Sequence, residues 1–153
     1  MRKIVPRSDS KHLRVGIVLS RFNPAIGELL LQGARRALSE AGVDTGAVAL
    51  ATVPGALEVP LALQRMAQSG DYDALVALGA VIRGETYHFE IVANESAAGV
   101  GSVQLEFGIP IGNGILTTDT DAQAEARADD KGHAAALAAV EMANLLTAID
   151  DAE

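Results

Sequence analysis

The chain has 153 residues, a length that predicts one domain. Its net charge of −8 argues against general nucleic-acid binding, which requires clustered Lys and Arg, and its lack of cysteine excludes disulfides and thiolate zinc sites. No apolar run reaches the length of a membrane span, and the basic N-terminus lacks an apolar signal core. We therefore expect a cytoplasmic protein that binds neither nucleic acid nor membranes.

Strands and helices are predicted to alternate four times along the chain. The first strand is a short run rich in β-branched residues at 14–19, and an apolar stripe of helical period follows over 25–40. The same criteria predict further strands at 47–53, 74–82 and 110–117, and helices at about 57–69, 86–105 and 120–148. Residues 130–132 are a candidate interruption of the last helix.

This alternation predicts an α/β fold in which a four-stranded parallel sheet carries helices on both faces. Residues 1–12 precede the first strand, and we interpret them as an N-terminal arm available to pair with another subunit. The whole chain, 1–153, is then a single domain. In such folds the loops that follow the strands share one edge of the sheet, which is where ligands bind.

The first two of these loops each carry a side chain suited to ligand binding. Phe22 lies between polar neighbours, where its ring can stack on a planar heterocycle or fold back on the core. After the second strand, Pro54 and Gly55 form a tight turn, and Glu58 falls in the first turn of the next helix. That carboxylate either interacts favourably with the helix dipole or binds ligand hydroxyls and ring N–H groups.

The third loop has the sequence RGETYH at 83–88. Gly84 permits close approach of the backbone to a ligand, and the amides of Glu85 and Thr86 can hold phosphate oxygens at a helix start. His88 follows, and a histidine side chain can act as an acid and a base near neutral pH. The alternatives are an ordinary helix start and a histidine that lies on the surface or is satisfied in the core.

The last helix carries a candidate pair of cations. Residues 84–126 contain neither Lys nor Arg, and Arg127 and Lys131 then follow four residues apart, on one face of a continuous helix. Such a pair can clamp a phosphate, or it can bridge in solvent to Asp129 or Asp130. No metal-ligand spacing is present, so we expect chemistry without a metal.

In combination, these motifs resemble lumazine synthases, the 6,7-dimethyl-8-ribityllumazine synthase family of riboflavin biosynthesis. The matching segments are SRFN at 20–23, VPGALEVPLAL at 53–63, LGAVIRGETYHFEIVANES at 78–96, PIGNGILTTDT at 110–120 and KGHAAALAAVEMANL at 131–145. The resemblance implies a flavodoxin-like three-layer sandwich. It also implies a homopentamer, or a multiple of it, with active sites between neighbouring subunits.

The reaction that the resemblance implies needs no cofactor. It condenses 5-amino-6-(D-ribitylamino)uracil with 3,4-dihydroxy-2-butanone 4-phosphate, giving 6,7-dimethyl-8-ribityllumazine, phosphate and water. One alternative is a non-catalytic shell protein of the same fold that binds flavin or pyrimidine ligands. Another is a generic flavodoxin-like nucleotide or signalling domain, which would leave Phe22, Glu58 and Arg127 unexplained.

The resemblance also implies a role for individual residues. It makes His88 the proton-transfer residue and assigns the phosphate to Glu85, Thr86 and Arg127. The ribitylaminouracil contacts that it implies are Phe22, Ala56, Leu57, Glu58, Ala80, Val81, Ile82, Asn113 and Lys131. Residues near 113 and 127 are expected to reach a neighbour's site.

Two departures from the family pattern stand out. Many relatives carry an aromatic residue where this chain has Asn113, so one wall of the uracil site is expected to be polar. The segment 128–132 is shorter than in capsid-forming members, which leaves the choice between a pentamer, a decamer and a 60-subunit shell open.

Overall fold

The computed structural model describes residues 1–152 and contains one parallel sheet with the strand order β2-β1-β3-β4. The strands are β1 (Val15–Ser20), β2 (Ala49–Val53), β3 (Ala74–Ile82) and β4 (Ile111–Thr118). The helices are α1 (Pro24–Glu40), α2 (Val59–Ser69), α3 (His88–Phe107) and α4 (Asp121–Asp150). Short 3₁₀ turns at Thr45–Ala47 and Ala56–Glu58 flank β2. The predicted flavodoxin-like α/β fold is confirmed.

Strand β3 is at the centre of the fold, because both faces of it are buried. Val76 and Leu78 contribute to the core under α1 and α4, whereas Leu75 and Val81 contribute to the core under α2 and α3. A central parallel strand reads as a continuous apolar run for this reason. The sheet is therefore the middle layer between two separate cores.

The two helices of one outer layer, α1 and α4, pack with their backbones in close contact. A side chain at Gly33 would run into the backbone carbonyl of Asp129, and one at Gly132 would run into that of Leu30. Only glycine permits so close an approach without a shift of one helix. Gly132 therefore does not interrupt α4, which is one continuous helix across the candidate break at 130–132.

By length and composition alone, α4 could cross a membrane, since its most apolar 18 residues have a mean hydropathy of 1.3. The expectation that no apolar segment of the chain is long enough to span a membrane is therefore corrected. In this fold, Ala124, Ala128, Ala136 and Val140 of α4 lie in the core shared with α1 and the sheet. That packing accounts for part of the apolar character of the helix, because 39% of the apolar stretch is buried.

Two helices begin later than the sequence predicts. Helix α3 starts at His88 instead of near residue 86, because the Thr86 hydroxyl accepts a hydrogen bond from the His88 amide at 3.4 Å and holds a turn before the helix. Helix α2 starts at Val59, so Glu58 lies in a 3₁₀ turn and not in the first turn of the helix.

The N-terminal arm lies along the C-terminal half of α4 in this single chain. The Asn144 side chain donates to the Ser10 hydroxyl at 2.9 Å, and both residues are buried. The Arg7 amide donates to the Asn144 carbonyl, and the Arg7 side chain pairs with Asp151. Pairing of the arm with another subunit stays a prediction.

Candidate active site

A cavity of about 470 Å³ opens where β1, β2 and β3 end. The chain passes from β1 to β2 on one side and then returns to β3 on the other side of β1, so the strand order reverses here. Open α/β sheets bind ligands at the carboxyl end of such a reversal. The residues that line the cavity are Phe22, Pro54, Gly55, Ala56, Leu57, Glu58, Ala80, Val81, Ile82, Gly84, Thr86, His88, Phe89 and Val92.

The first loop presents an aromatic ring to this cavity. Phe22 is 75% exposed, so its ring does not fold back on the core, and the stacking interpretation is the one that the geometry permits. The loop is fixed on both sides: the Asn23 side-chain amide donates to the Ala80 carbonyl at 3.3 Å, and the Arg21 amide donates to the Val53 carbonyl at 2.8 Å. These bonds join the ends of all three strands.

The second loop contributes a carboxylate. Pro54 follows the end of β2, and the Glu58 amide donates to the Gly55 carbonyl at 3.2 Å, closing a single 3₁₀ turn. Glu58 is exposed and lines the cavity, and it is in no ion pair among the described residues. Its carboxylate is therefore free to accept hydrogen bonds from a ligand.

The third loop places the histidine at the rim of the cavity. A side chain at Gly84 would meet open space, so a ligand can approach the backbone there. Thr86 and His88 line the cavity and are exposed, which excludes the interpretation of His88 as a satisfied core histidine. Glu85 lies between Gly84 and Thr86 in the same loop but is not part of the lining.

Sequence reasoning missed the apolar wall of this cavity. Phe89 and Val92 face it from the first turns of α3. The signal was present, because Val92 follows Phe89 by three residues and His88 by four, spacings that place side chains next to each other on a helix. An apolar wall beside an aromatic ring and a carboxylate suits a planar ligand with polar edges.

A second, more open cavity of about 420 Å³ lies on the other side of Phe89, at the ends of β3 and β4. Arg127 lines it, and one of its guanidinium nitrogens donates to the Gln123 carbonyl at 3.0 Å. The alternative of a bridge to Asp129 or Asp130 is not seen among residues 1–152, where Asp129 binds Arg36 on α1 instead. Arg127 is therefore in no ion pair among these residues and lies outside the first cavity.

An ion-pair cluster borders the second cavity, next to Phe89, which lines both cavities. Arg83, which follows β3, donates to Asp119 at 2.8 Å and to Glu90 at 2.6 Å, and its guanidinium carbon lies 4.4 Å from the centre of the Phe89 ring. These hydrogen bonds raise the pKa of Arg83, with that to Asp119 the larger cause, and the bond from Arg83 lowers the pKa of Glu90. Both shifts favour the charged forms of Arg83 and Glu90.

The comparison with known proteins agrees with this geometry. A family model described as 6,7-dimethyl-8-ribityllumazine synthase matches residues 12–147. This chain belongs to the lumazine synthase family.

Lumazine synthases from several bacteria cover nearly the whole chain. The relative from Ralstonia pickettii is 62% identical over 142 residues, which are 93% of this chain and 86% of the relative. The relative from Cupriavidus metallidurans is 60% identical over the same share of this chain and 84% of its own length. That from Nitrosospira multiformis is 56% identical over 99% of this chain and 94% of its own length. The family prediction made from the motifs is confirmed.

Three residues that the resemblance to lumazine synthases singled out lie apart from the first cavity. Asn113 is exposed on β4, where its side-chain oxygen accepts from the Ile115 amide at 3.0 Å. Arg127 lines the second cavity, and Lys131, exposed one turn further along α4, lines neither. A single chain therefore brings Phe22, Glu58 and His88 to one cavity and leaves these three side chains outside it.

Proposed function

We propose that the first cavity is the site at which this lumazine synthase family member condenses 5-amino-6-(D-ribitylamino)uracil with 3,4-dihydroxy-2-butanone 4-phosphate. The observation that carries the proposal is the convergence of Phe22, Glu58 and His88 from three different loops on one cavity with an apolar wall. The product is 6,7-dimethyl-8-ribityllumazine, released with phosphate and water in riboflavin biosynthesis.

The uracil fits the part of the cavity between the first two loops and the end of β3. Phe22 stacks on the pyrimidine ring, since an exposed aromatic face favours offset stacking on a flat heterocycle. Glu58 accepts hydrogen bonds from ligand N–H or O–H groups. Ala56 and Leu57, with the segment 80–82, supply backbone donors and acceptors along the ribityl chain, because their side chains carry no polar atoms.

The phosphorylated ketone fits beside the third loop. The amides of Glu85 and Thr86 lie in the turn before α3, next to the positive end of that helix, where an oxyanion is stabilised. His88 begins the helix and is within the same cavity, so it can pass protons as the amine attacks the ketone and water leaves. Holding two reactants together supplies much of the remaining acceleration.

We propose further that the site is completed by a neighbouring subunit in a homopentamer or a multiple of it. The phosphate needs a positive charge beside it. Arg127 has no carboxylate partner among residues 1–152, but it lines the second cavity of its own chain and not the first. Asn113 is exposed on β4, the edge strand of the sheet, and Lys131 is exposed on α4. A neighbour that presents the β4 edge of its sheet to the first cavity would bring Asn113 and Arg127 toward it.

The surface of α3 supports self-association. Ile91 and Leu105 are exposed large apolar residues, and Leu105 is 83% exposed. Ala98 lies midway between them and is also exposed, so the three are spaced seven residues apart on one face of the helix. Exposed apolar stripes of this kind usually mark an interface.

The non-catalytic alternative is not favoured. The relatives that match over most of the chain carry the name of the synthase, and the histidine, the carboxylate and the ring expected of the enzyme all face the cavity. We propose a cytoplasmic location for the enzyme, in keeping with a reaction that uses small phosphorylated and aminated precursors.

Incubation of the purified chain with both substrates tests the activity directly. We expect the absorbance of the lumazine chromophore to appear together with one equivalent of inorganic phosphate. Binding of the ribitylaminouracil without product would support the shell-protein alternative, and neither binding nor product would contradict the proposed function. Light scattering on the same sample tests the assembly, for which a 15.8 kDa species would be the contradicting result.

A further inference from the structure

Arg83 connects three segments of chain that meet at the rim of the first cavity. It follows β3 and precedes the exposed loop 84–87, and its amide donates to the Thr118 carbonyl of β4 at 2.8 Å. Its guanidinium reaches forward across the loop to Glu90 in the first turn of α3, and sideways to Asp119. The loop is therefore closed at its base by a side-chain bond between residues 83 and 90.

The loop has few other restraints. Residues 84–88 are all exposed, Gly84 has nothing near the position of a side chain, and the one side-chain hydrogen bond in the loop joins Thr86 to the His88 amide at a long 3.4 Å. A loop with so few contacts loses considerable conformational entropy when it orders around a ligand. A strong charge-assisted bond at its base reduces that loss by fixing both ends beforehand.

The guanidinium also lies over the ring of Phe89, the residue that the two cavities share. Phe89 lines both of them, and the cation lies 4.4 Å from its ring centre, on a side chain that is itself held by two carboxylates. Phe89 and His88 are consecutive residues in the first turn of α3, so a displacement of that turn would move both side chains. The bond from Arg83 to Glu90 joins the same turn to the end of β3.

We propose that Arg83 is a positioning residue, whose bond to Glu90 holds the 84–87 loop in the form that receives the phosphorylated ketone and holds His88 in line with it. This inference rests on the proposed function, because it assigns a part of that site. Arg83 does not bind the substrate in this proposal, since its charge is already shared between two carboxylates.

Steady-state kinetics of Arg83→Met test the proposal. We expect kcat/KM for the phosphorylated ketone to fall about 10- to 100-fold, the range produced by a small misplacement of reacting groups, while KM for the ribitylaminouracil changes less than threefold. The matched control is Arg14→Met, because Arg14 also binds an aspartate, Asp73. That pair lies where β1 and β3 begin, at the end of the sheet away from the cavity. The control should retain the kinetics of the unmodified chain.

A second variant separates positioning from direct binding of phosphate. Glu90→Gln breaks the α3 half of the bond and leaves Arg83 with less compensating charge. If Arg83 positions the loop, Glu90→Gln should also lower kcat/KM for the phosphorylated ketone, by at least fivefold. If Arg83 binds the phosphate directly, kcat/KM for the ketone should be unchanged or higher. Hydrogen exchange of the amides 84–89 should become faster in both variants than in Arg14→Met.

Three results would overturn the proposal: Arg83→Met indistinguishable from Arg14→Met, a loss shared equally between the two substrates, or Glu90→Gln with unchanged or improved use of the ketone. These are distinct from a failure of the proposed function, which would appear as an unmodified chain that makes no lumazine.

Discussion

Gly33 of α1 and Gly132 of α4 mark the crossing point of the two helices, and each faces a backbone carbonyl of the other helix. The crossing leaves no room for a methyl group on either side. Next to it, Arg36 binds Asp129 through two nitrogens at 2.9 and 2.8 Å, and this bond lowers the pKa of Asp129. Backbone contact and ion pair together set the distance between α1 and α4.

Gly132→Ala should therefore destabilise the protein, although alanine favours helices more than glycine does. Overpacking typically costs about 1–3 kcal/mol, which exceeds the gain of roughly 0.5–1 kcal/mol in helix propensity. Urea unfolding at fixed protein concentration measures the difference. Gln32→Ala, an exposed neighbour on α1, should stay within about 0.5 kcal/mol of the unmodified chain. An equally stable Gly132→Ala variant would contradict the close crossing.

Two buried serines should respond to alanine in opposite ways. The Ser20 hydroxyl has no hydrogen-bond partner in the described part of the chain, so Ser20→Ala should leave stability unchanged or raise it. The Ser10 hydroxyl accepts a hydrogen bond from the buried Asn144 side chain. Ser10→Ala leaves that amide without this partner and should lower the free energy of unfolding by about 1–3 kcal/mol. Thermal unfolding of the two variants side by side checks the order, and a more stable Ser10→Ala would contradict it.

Replacement of His88 by glutamine should lower kcat about 10²-fold or more if the imidazole transfers protons, because general acid–base groups typically contribute that much. The measurement is lumazine formation at saturating substrates. His12→Gln is the matched control, since His12 is exposed and far from the cavity in the chain before β1. Turnover of the His88 variant at the level of the control would remove His88 from this role.

Two impaired variants should regain activity when they are mixed. His88→Gln lacks the proton-transfer group, and Arg127→Ala should lose about 1.5–3 kcal/mol of phosphate recognition. If a site takes His88 from one subunit and Arg127 from its neighbour, some sites in a refolded mixture contain both native residues. Activity above the sum of the two separate samples is the expected result. A mixture no more active than its parts would place both residues in one subunit's site.

The bond between Arg83 and Glu90 should be lost in acid. Because the folded pKa of Glu90 lies below its ordinary 4.5, this bond stabilises the folded chain fully above about pH 4.5 and loses that effect as pH falls through the lowered value. Carbon NMR titration should show the Glu90 pKa moving up in Arg83→Met. No upward movement would mean that Arg83 does not hold this carboxylate in solution.

The sequence was sufficient to predict the order of the elements and most of the cavity. Buried parallel strands produce long apolar runs such as 74–82, and the loops after β1, β2 and β3 then meet at one edge through the geometry of the sheet alone. Phe22, Glu58 and His88 were therefore identified before the structure, each with an open alternative. The exposure of Phe22 and His88 in the structure removed the alternatives that placed these two residues in the core.

Features that depend on contacts between distant segments could not be predicted. The start of α3 at His88 depends on a turn at Thr86, and the bond from Arg83 to Asp119 joins residues 36 apart in sequence. The placement of Arg127 in a second cavity depends on the angle at which α4 leaves β4. Local propensity and periodicity carry no information about any of these.

The contact between the first and the last helix has a consequence for biosynthesis. Leu30, Ala34 and Ala37 of α1 are buried in a core that α4 completes, and α4 is synthesised after α1, the four strands and the other helices. Until then the nascent chain carries an uncovered apolar surface, because the parallel sheet cannot shield that side of α1 by itself. A stop codon before α4 should therefore yield an aggregation-prone product.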